Sequence, residues 1–241
     1  MENNIIFVKP GDCIWDESHR EIRGKINGKD FFVPTSELTL QNFRWGRDVP
    51  RGIKRVAKEG FEGVLQEPQD GKLVVSIKER HSMGYNRIKE GETYQGKVID
   101  VKNDALYVEV DTVIVRVYIT DCSRSRMNDL RDFFRIGNIL KVKILHKDKS
   151  FPFRISGSRK EAYPEISEMY HHYEIDREVF VRACERLNFD GYRVELTPNI
   201  PGILNGPEEL LDKIQRGQRI KVKITKIEPL GIKCKVSNWR L

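Results

Sequence analysis

Along much of the chain, apolar and polar residues alternate one for one. Leu106, Val108 and Val110 are interleaved with Tyr107 and Glu109, and Val115, Val117 and Ile119 with Arg116 and Tyr118. Further on, Val142 and Ile144 alternate with Lys141 and Lys143, and Phe153 and Ile155 flank Arg154. A period of two sends successive side chains to opposite faces of a strand, so one set packs inward and the other meets solvent. With a strand over Thr93–Val101, these runs predict five short strands and one helical insert over Ser123–Phe134.

The pattern recurs along the chain. Gly11 in KPGD and Gly91 in KEGE lie 80 residues apart, as do Gly137 in IGNILKVKI and Gly217 in RGQRIKVKI. Three segment endings, LVVSIKER, FRISGSRK and CKVSNWR, place Ser76, Ser156 and Ser237 at spacings of 80 and 81. A common offset across several landmarks argues for tandem modules, over residues 1–83, 84–162 and 163–241. The first carries an Asn27-Gly28 hairpin signal before DFFVPTSEL, then a basic insert, NFRWGRDVPRGIKRVAKEG. The third opens on PEISEMYHHY, where Pro164 precedes Ile166, Met169, Tyr170 and Tyr173 at helical spacing, predicting a linker helix. The expected fold is dominated by β-structure: tandem five-stranded Greek-key barrels of OB type with short helical inserts.

Charge narrows the partners. Lys+Arg 43 against Asp+Glu 36 leaves +7, an excess that favours anionic partners, although a solvated surface accounts for it equally well. The hydrophobic share of 39% suffices for folded cores, and no apolar run approaches the ~20 residues that span a bilayer. The opening MENNIIFVKPGD lacks the basic and apolar regions of a signal peptide. Cys13, Cys122, Cys184 and Cys234 are scattered without a CxxC, which argues against a disulfide framework or zinc site and for a cytoplasmic protein. The histidines have no carboxylate or cysteine partners at recurring spacing, GKINGKD lacks the ending of a phosphate-binding loop, and no nucleophile–base signature stands out. Neither an enzyme, a cofactor, a metal nor a small-molecule substrate is expected.

The middle module resembles the S-one RNA-binding repeat. The residues that carry the likeness are Gly91, Gly96-Lys97-Val98, the run Asp104–Val110, the run Val115–Cys122, the block Gly137–Ile144, Asp148 and Arg154-Ile155-Ser156. The outer modules match less completely, through Gly11, FFVPTSEL and Val75–Lys78 in the first. In the third they are Val194–Leu196, Pro201–Leu204, Gly217–Ile224 and Lys235–Ser237. The resemblance implies base stacking on two aromatics of the second strand and a histidine of the third. Here those positions hold Asp104, Tyr107 and Tyr118; the latter two become Arg23 and Pro34 in the first module, and Arg193 and Asn205 in the third.

Unstructured RNA needs flat π-faces beside cations that reach its phosphates. Alternation turns Tyr107, Arg116, Tyr118, Lys141, Lys143 and Arg154 outward, and Lys97 and Asp148 occupy motif positions beside them. In the first module's insert, Arg44, Arg47, Arg51, Lys54, Arg55 and Lys58 are interleaved with Phe43 and Trp45. That stretch reads either as a phosphate-and-base clamp or as a solvated helix whose aromatics seal the barrel. The expected function is non-catalytic binding of single-stranded RNA, messenger or ribosomal, in translation or RNA handling. The alternative is a protein-interaction scaffold docking a ribosome or another RNA-processing assembly.

Overall fold

A computed structural model describes residues 4–38, 49–148, 154–169, 172–187 and 191–237. Compactness groups the chain into two units: Met1–Lys89 with Asp111–Ile114 and Asp148–Arg154, and Glu90–Val110 with Val115–Lys147 and Ile155–Leu241. Its strands form three sheets, two of them closed barrels, the tandem OB-type arrangement expected.

The first sheet departs from the five-stranded plan. Six strands, β1 (Ile5–Val8), β2 (Cys13–Asp16), β3 (Glu21–Ile26), β4 (Lys29–Pro34), β5 (Phe61–Gln69) and β6 (Lys72–Ser76), lie in the order β1-β5-β6-β4-β3-β2. Between β1 and β2 stand Pro10, which has no N–H to give a ladder, and Gly11, at φ +90°. Gly11 thus sits between two strands whereas Gly91 precedes one, so their 80-residue spacing does not mark equivalent positions. The Asn27-Gly28 turn has positive φ at both residues, as a type I′ hairpin demands. FFVPTSEL is a strand only to Pro34, after which Thr35–Glu37 turn as a 3-10 helix. Helix α1 (Val49–Glu59) buries Ile53, Val56 and Ala57 against Val8, Ile22, Phe31 and Phe61. Helix α2 (Ile77–Arg87) starts on Ser76, whose Oγ accepts from the Glu79 N–H at 2.9 Å.

The middle barrel follows its alternation. Strands β7 (Thr93–Val101), β8 (Ala105–Val110), β9 (Val113–Tyr118), β10 (Ile139–Lys147) and β11 (Ile155–Ser158) close in the order β10-β11-β9-β8-β7. Val98, Leu106, Val108, Val115, Val117, Val142 and Ile144 are all fully buried inside. At Gly96 a Cβ would stand 2.7 Å from the Glu109 carbonyl oxygen, which explains the glycine of the G-x-V motif. The insert is not the helix expected over Ser123–Phe134. Helix α3 covers only Ile119–Cys122, and a 3-10 turn spans Leu130–Asp132. Ser123 Oγ accepts from the Ser125 N–H and Asp129 Oδ1 from the Arg131 N–H, local bonds that compete with helical ones.

The third barrel repeats the middle one. Strands β12 (Glu178–Arg186), β13 (Gly191–Thr197), β14 (Ile200–Asn205), β15 (Arg219–Glu228) and β16 (Gly231–Val236) close in the order β12-β13-β14-β16-β15. Both barrels close through one parallel pair, β9/β11 and β14/β16. Both irregularities recur, at Val98/Asp100 and Ala183/Glu185, and at Ile144/His146 and Ile224/Lys226. Gly137 and Gly217 precede β10 and β15 with positive φ, so this 80-residue spacing is structural. The serine spacing is displaced: Ser158, not Ser156, ends its strand as Ser76 does, its Oγ accepting from the Glu161 N–H. The linker helix shrinks to α4 (Ile166–Met169), and a further short helix, α5 (Glu208–Leu211), follows β14.

Within the second unit a polar joint links these two barrels. The Arg159 guanidinium donates to Glu195 Oε1 at 3.0 Å and to the Cys122 carbonyl at 2.9 Å. It also lies 5.2 Å from the Phe134 ring centroid. The side chains of Arg159 and Glu195 are only 8% and 3% exposed. Ser125 Oγ donates to the Val194 carbonyl, the Arg124 N–H to the Pro198 carbonyl, and Asn199 Nδ2 to the Tyr163 carbonyl.

Candidate nucleic-acid interface

Alternation on β8 and β9 presents three side chains together. Tyr107 is half-buried, Arg116 is half-buried, and Tyr118 at the end of β9 is 41% exposed. The Arg116 guanidinium carbon lies 4.3 Å from the Tyr118 ring centroid and 5.8 Å from that of Tyr107. Both distances fall inside the ~6 Å range of cation–π attraction. Asp104, on the turn before β8, brings a carboxylate oxygen to 3.9 Å from Arg116 Nη2. Arg116 Nε is buried without a hydrogen-bond partner. The alternation foretold two outward tyrosines but not that an arginine would lie on one of them. Such a stack can receive a base on the guanidinium or ring plane while its N–H groups meet a phosphate.

The other cations of this barrel stand on a different pair of strands. Lys97 on β7 is opposite Ile139 on β10 and Glu109 on β8. Lys141 is opposite Gln95. Lys143 is opposite Thr93 and Ser158, with its Nζ 3.8 Å from Glu161. Asp148 and Arg154 bracket residues 149–153, which lie outside the described residues; the Asp148 N–H donates to the Arg154 carbonyl at 2.8 Å.

In the first sheet, Arg23 is opposite Phe32 and is held by carboxylates. Its Nε donates to Glu21 and its Nη1 lies 3.3 Å from Asp16. Lys54 on α1 pairs with Glu17. Arg44 and Arg47, with Phe43 and Trp45, lie outside the described residues, and Arg51 is placed only as a residue of α1. The clamp imagined for this insert thus rests on no described side chain except Lys54 and Lys58. In the third barrel Arg193 on β13 is opposite Ile203 on β14, where the middle barrel has its stack. Arg193 and Ile203 line a shallow cleft with Leu230 and Lys233. Asn205 ends β14 as Tyr118 ends β9.

Burial pushes the thiols of Cys122, Cys184 and Cys234 up to about 12 and that of Cys13 to about 11, so they are neutral core side chains. Among the described residues, no group of three or more His, Cys, Asp or Glu is placed to hold a metal ion. Among them, too, no helix is long and apolar enough to cross a membrane.

Residues 87–160 match the S1 RNA binding domain family. The middle segment is therefore an S1-type RNA-binding repeat on an OB barrel, as its motifs implied. The chain is 24% identical over 219 residues to small ribosomal subunit protein bS1 of Staphylococcus saprophyticus, covering 83% of this chain and 53% of that protein. It is 28% identical over 147 residues to small ribosomal subunit protein bS1B of Synechocystis, covering 58% of this chain and 45% of that one. A 22% match over 150 residues to 4-hydroxy-3-methylbut-2-enyl diphosphate reductase of Clostridium acetobutylicum covers 59% of this chain and 23% of that enzyme. The chain spans about half the length of the ribosomal relatives it matches.

Proposed function

We propose that this chain is a non-catalytic binder of single-stranded RNA, messenger or ribosomal, acting in the cytoplasm in translation or RNA handling. Its principal contact is the Tyr107–Arg116–Tyr118 cluster of the middle barrel. The observation that carries the reading is the arginine stacked on an outward tyrosine within an S1-type repeat. Stacking on such surfaces is tolerant of sequence because every base has a π-face. The three modules, 1–83, 84–162 and 163–241, would contribute unequally. Arg23 is already neutralised by two carboxylates, which favours a protein-docking role for the first module in a ribosomal or other RNA-processing assembly.

The test is fluorescence anisotropy of a labelled oligouridylate titrated with the whole chain at two salt concentrations. Tyr107→Ala and Tyr118→Ala should each lose ~1–3 kcal/mol of affinity, while thermal melting moves little because both side chains reach the surface. Unaltered affinity in a folded double variant transfers the function to protein docking.

A further inference from the structure

The third barrel has lost the stacking positions of β13 and β14, yet it carries an aromatic–arginine pair elsewhere. Phe180 on β12 is 54% exposed, and the guanidinium carbon of Arg219 on β15 lies 5.3 Å from its ring centroid. Across the ladder Phe180 is opposite Lys221, and Arg182 is opposite Arg219. One step along, Lys223 is opposite Lys235 of β16.

Charge on this face is not balanced. Lys221 pairs with Glu178 at 2.6 Å and Lys223 with Asp176 at 2.9 Å. Arg219 and Lys235, both exposed, make no ion pair among the described residues. Like charges directly opposite one another destabilise a sheet; the Arg182–Arg219 row lies on one side of the exposed phenylalanine, and on the other Lys223 stands between Glu178 of β12 and Lys235 of β16. Arg182 is relieved by turning to the Phe134 ring, 5.6 Å away. Lys223 is met by Asp176 and Arg219 lies only against the exposed Phe180 ring, while Lys235 makes no ion pair among the described residues. In the middle barrel the matching register positions are Gln95 for Phe180 and Ile139 for Arg219, so neither partner of the pair is present there.

We propose that Phe180 and Arg219 form a second single-stranded nucleic-acid contact, in which a base stacks on the phenylalanine and the backbone phosphates lie along Lys221, Lys223 and Lys235. This rests on the reading of the chain as an RNA binder and adds a face on a different pair of strands. Protein interfaces are depleted of lysine, whereas phosphates are drawn to it, so the chemistry of the patch selects the polyanion.

The probe is an oligouridylate carrying one 4-thiouridine, bound to the whole chain and irradiated, with the cross-linked peptides identified by mass spectrometry. Anisotropy is measured in parallel on Phe180→Ala, Phe180→Leu, Phe180→Tyr and Arg219→Ala, in the native background and with Tyr107→Ala/Tyr118→Ala. Expected are a cross-link within 178–186, a roughly tenfold loss for Phe180→Ala and Phe180→Leu, and near-native binding for Phe180→Tyr. The loss should persist in the double-tyrosine background, with unchanged melting since the ring is exposed. If the native chain binds RNA but the Phe180 variants bind equally well and no cross-link forms there, this second face is refuted while the middle-barrel contact stands. If the native chain binds no oligouridylate, both fall together.

Discussion

The middle and third barrels share strand order, one parallel closure, two ladder irregularities and the glycine before the fourth strand. They differ in where an aromatic meets an arginine. In the middle barrel the pair stands on β9 beside β8; in the third it stands across β12 and β15. Inward positions are held by a core that tolerates little change in volume, so the frame is conserved between the two. Outward positions carry no such constraint, and recognition chemistry can stand on any pair of strands. Equivalent positions therefore do not guarantee equivalent function.

The largest effect expected concerns the joint that the two barrels share. Glu195→Gln leaves the Arg159 guanidinium buried without its counter-charge, and breaking a buried pair costs about 3–5 kcal/mol. Thermal unfolding followed by fluorescence and circular dichroism should show both barrels destabilised together. A transition confined to one barrel would separate what the comparison treats as a unit. A smaller effect sharpens the contrast between faces. Arg193→Ala and Asn205→Ala, at the third barrel's counterparts of Tyr107 and Tyr118, should change oligouridylate affinity by less than ~0.5 kcal/mol, the range of ordinary surface substitutions. A loss as large as that of the tyrosines would restore the family's face to the third barrel. Smallest of all is Tyr118→Phe, which keeps the ring beneath Arg116 and should leave affinity nearly unchanged in the same titration.

Strands and barrel closure were legible because a period of two reports burial directly, as Leu106, Val108, Val115 and Val117 show. The insert at 123–134 misled because its apolar residues are spaced as on a helix while its serines and Asp129 bond to nearby backbone. The break between β1 and β2 was written as Pro10-Gly11, but the repeat spacing disguised it as a module start. Of the interface, the outward tyrosines could be read; the Arg116 stack could not, since alternation gives a face and no distance. Glu195 was invisible for a related reason. It points out of its own barrel, as a solvated residue would, and is buried in the joint where the Arg159 side chain meets it.

That buried pair has a consequence for geometry rather than cohesion. Exchanging two desolvated charges for well-packed apolar side chains is often neutral or even stabilising, so Arg159 and Glu195 are a poor adhesive. Greasy surfaces, however, slide and rotate over one another at little cost. Here any slippage that parts the carboxylate from the guanidinium strands both in a dry environment. The buried pair thereby favours the one mutual angle of the two barrels at which carboxylate and guanidinium meet.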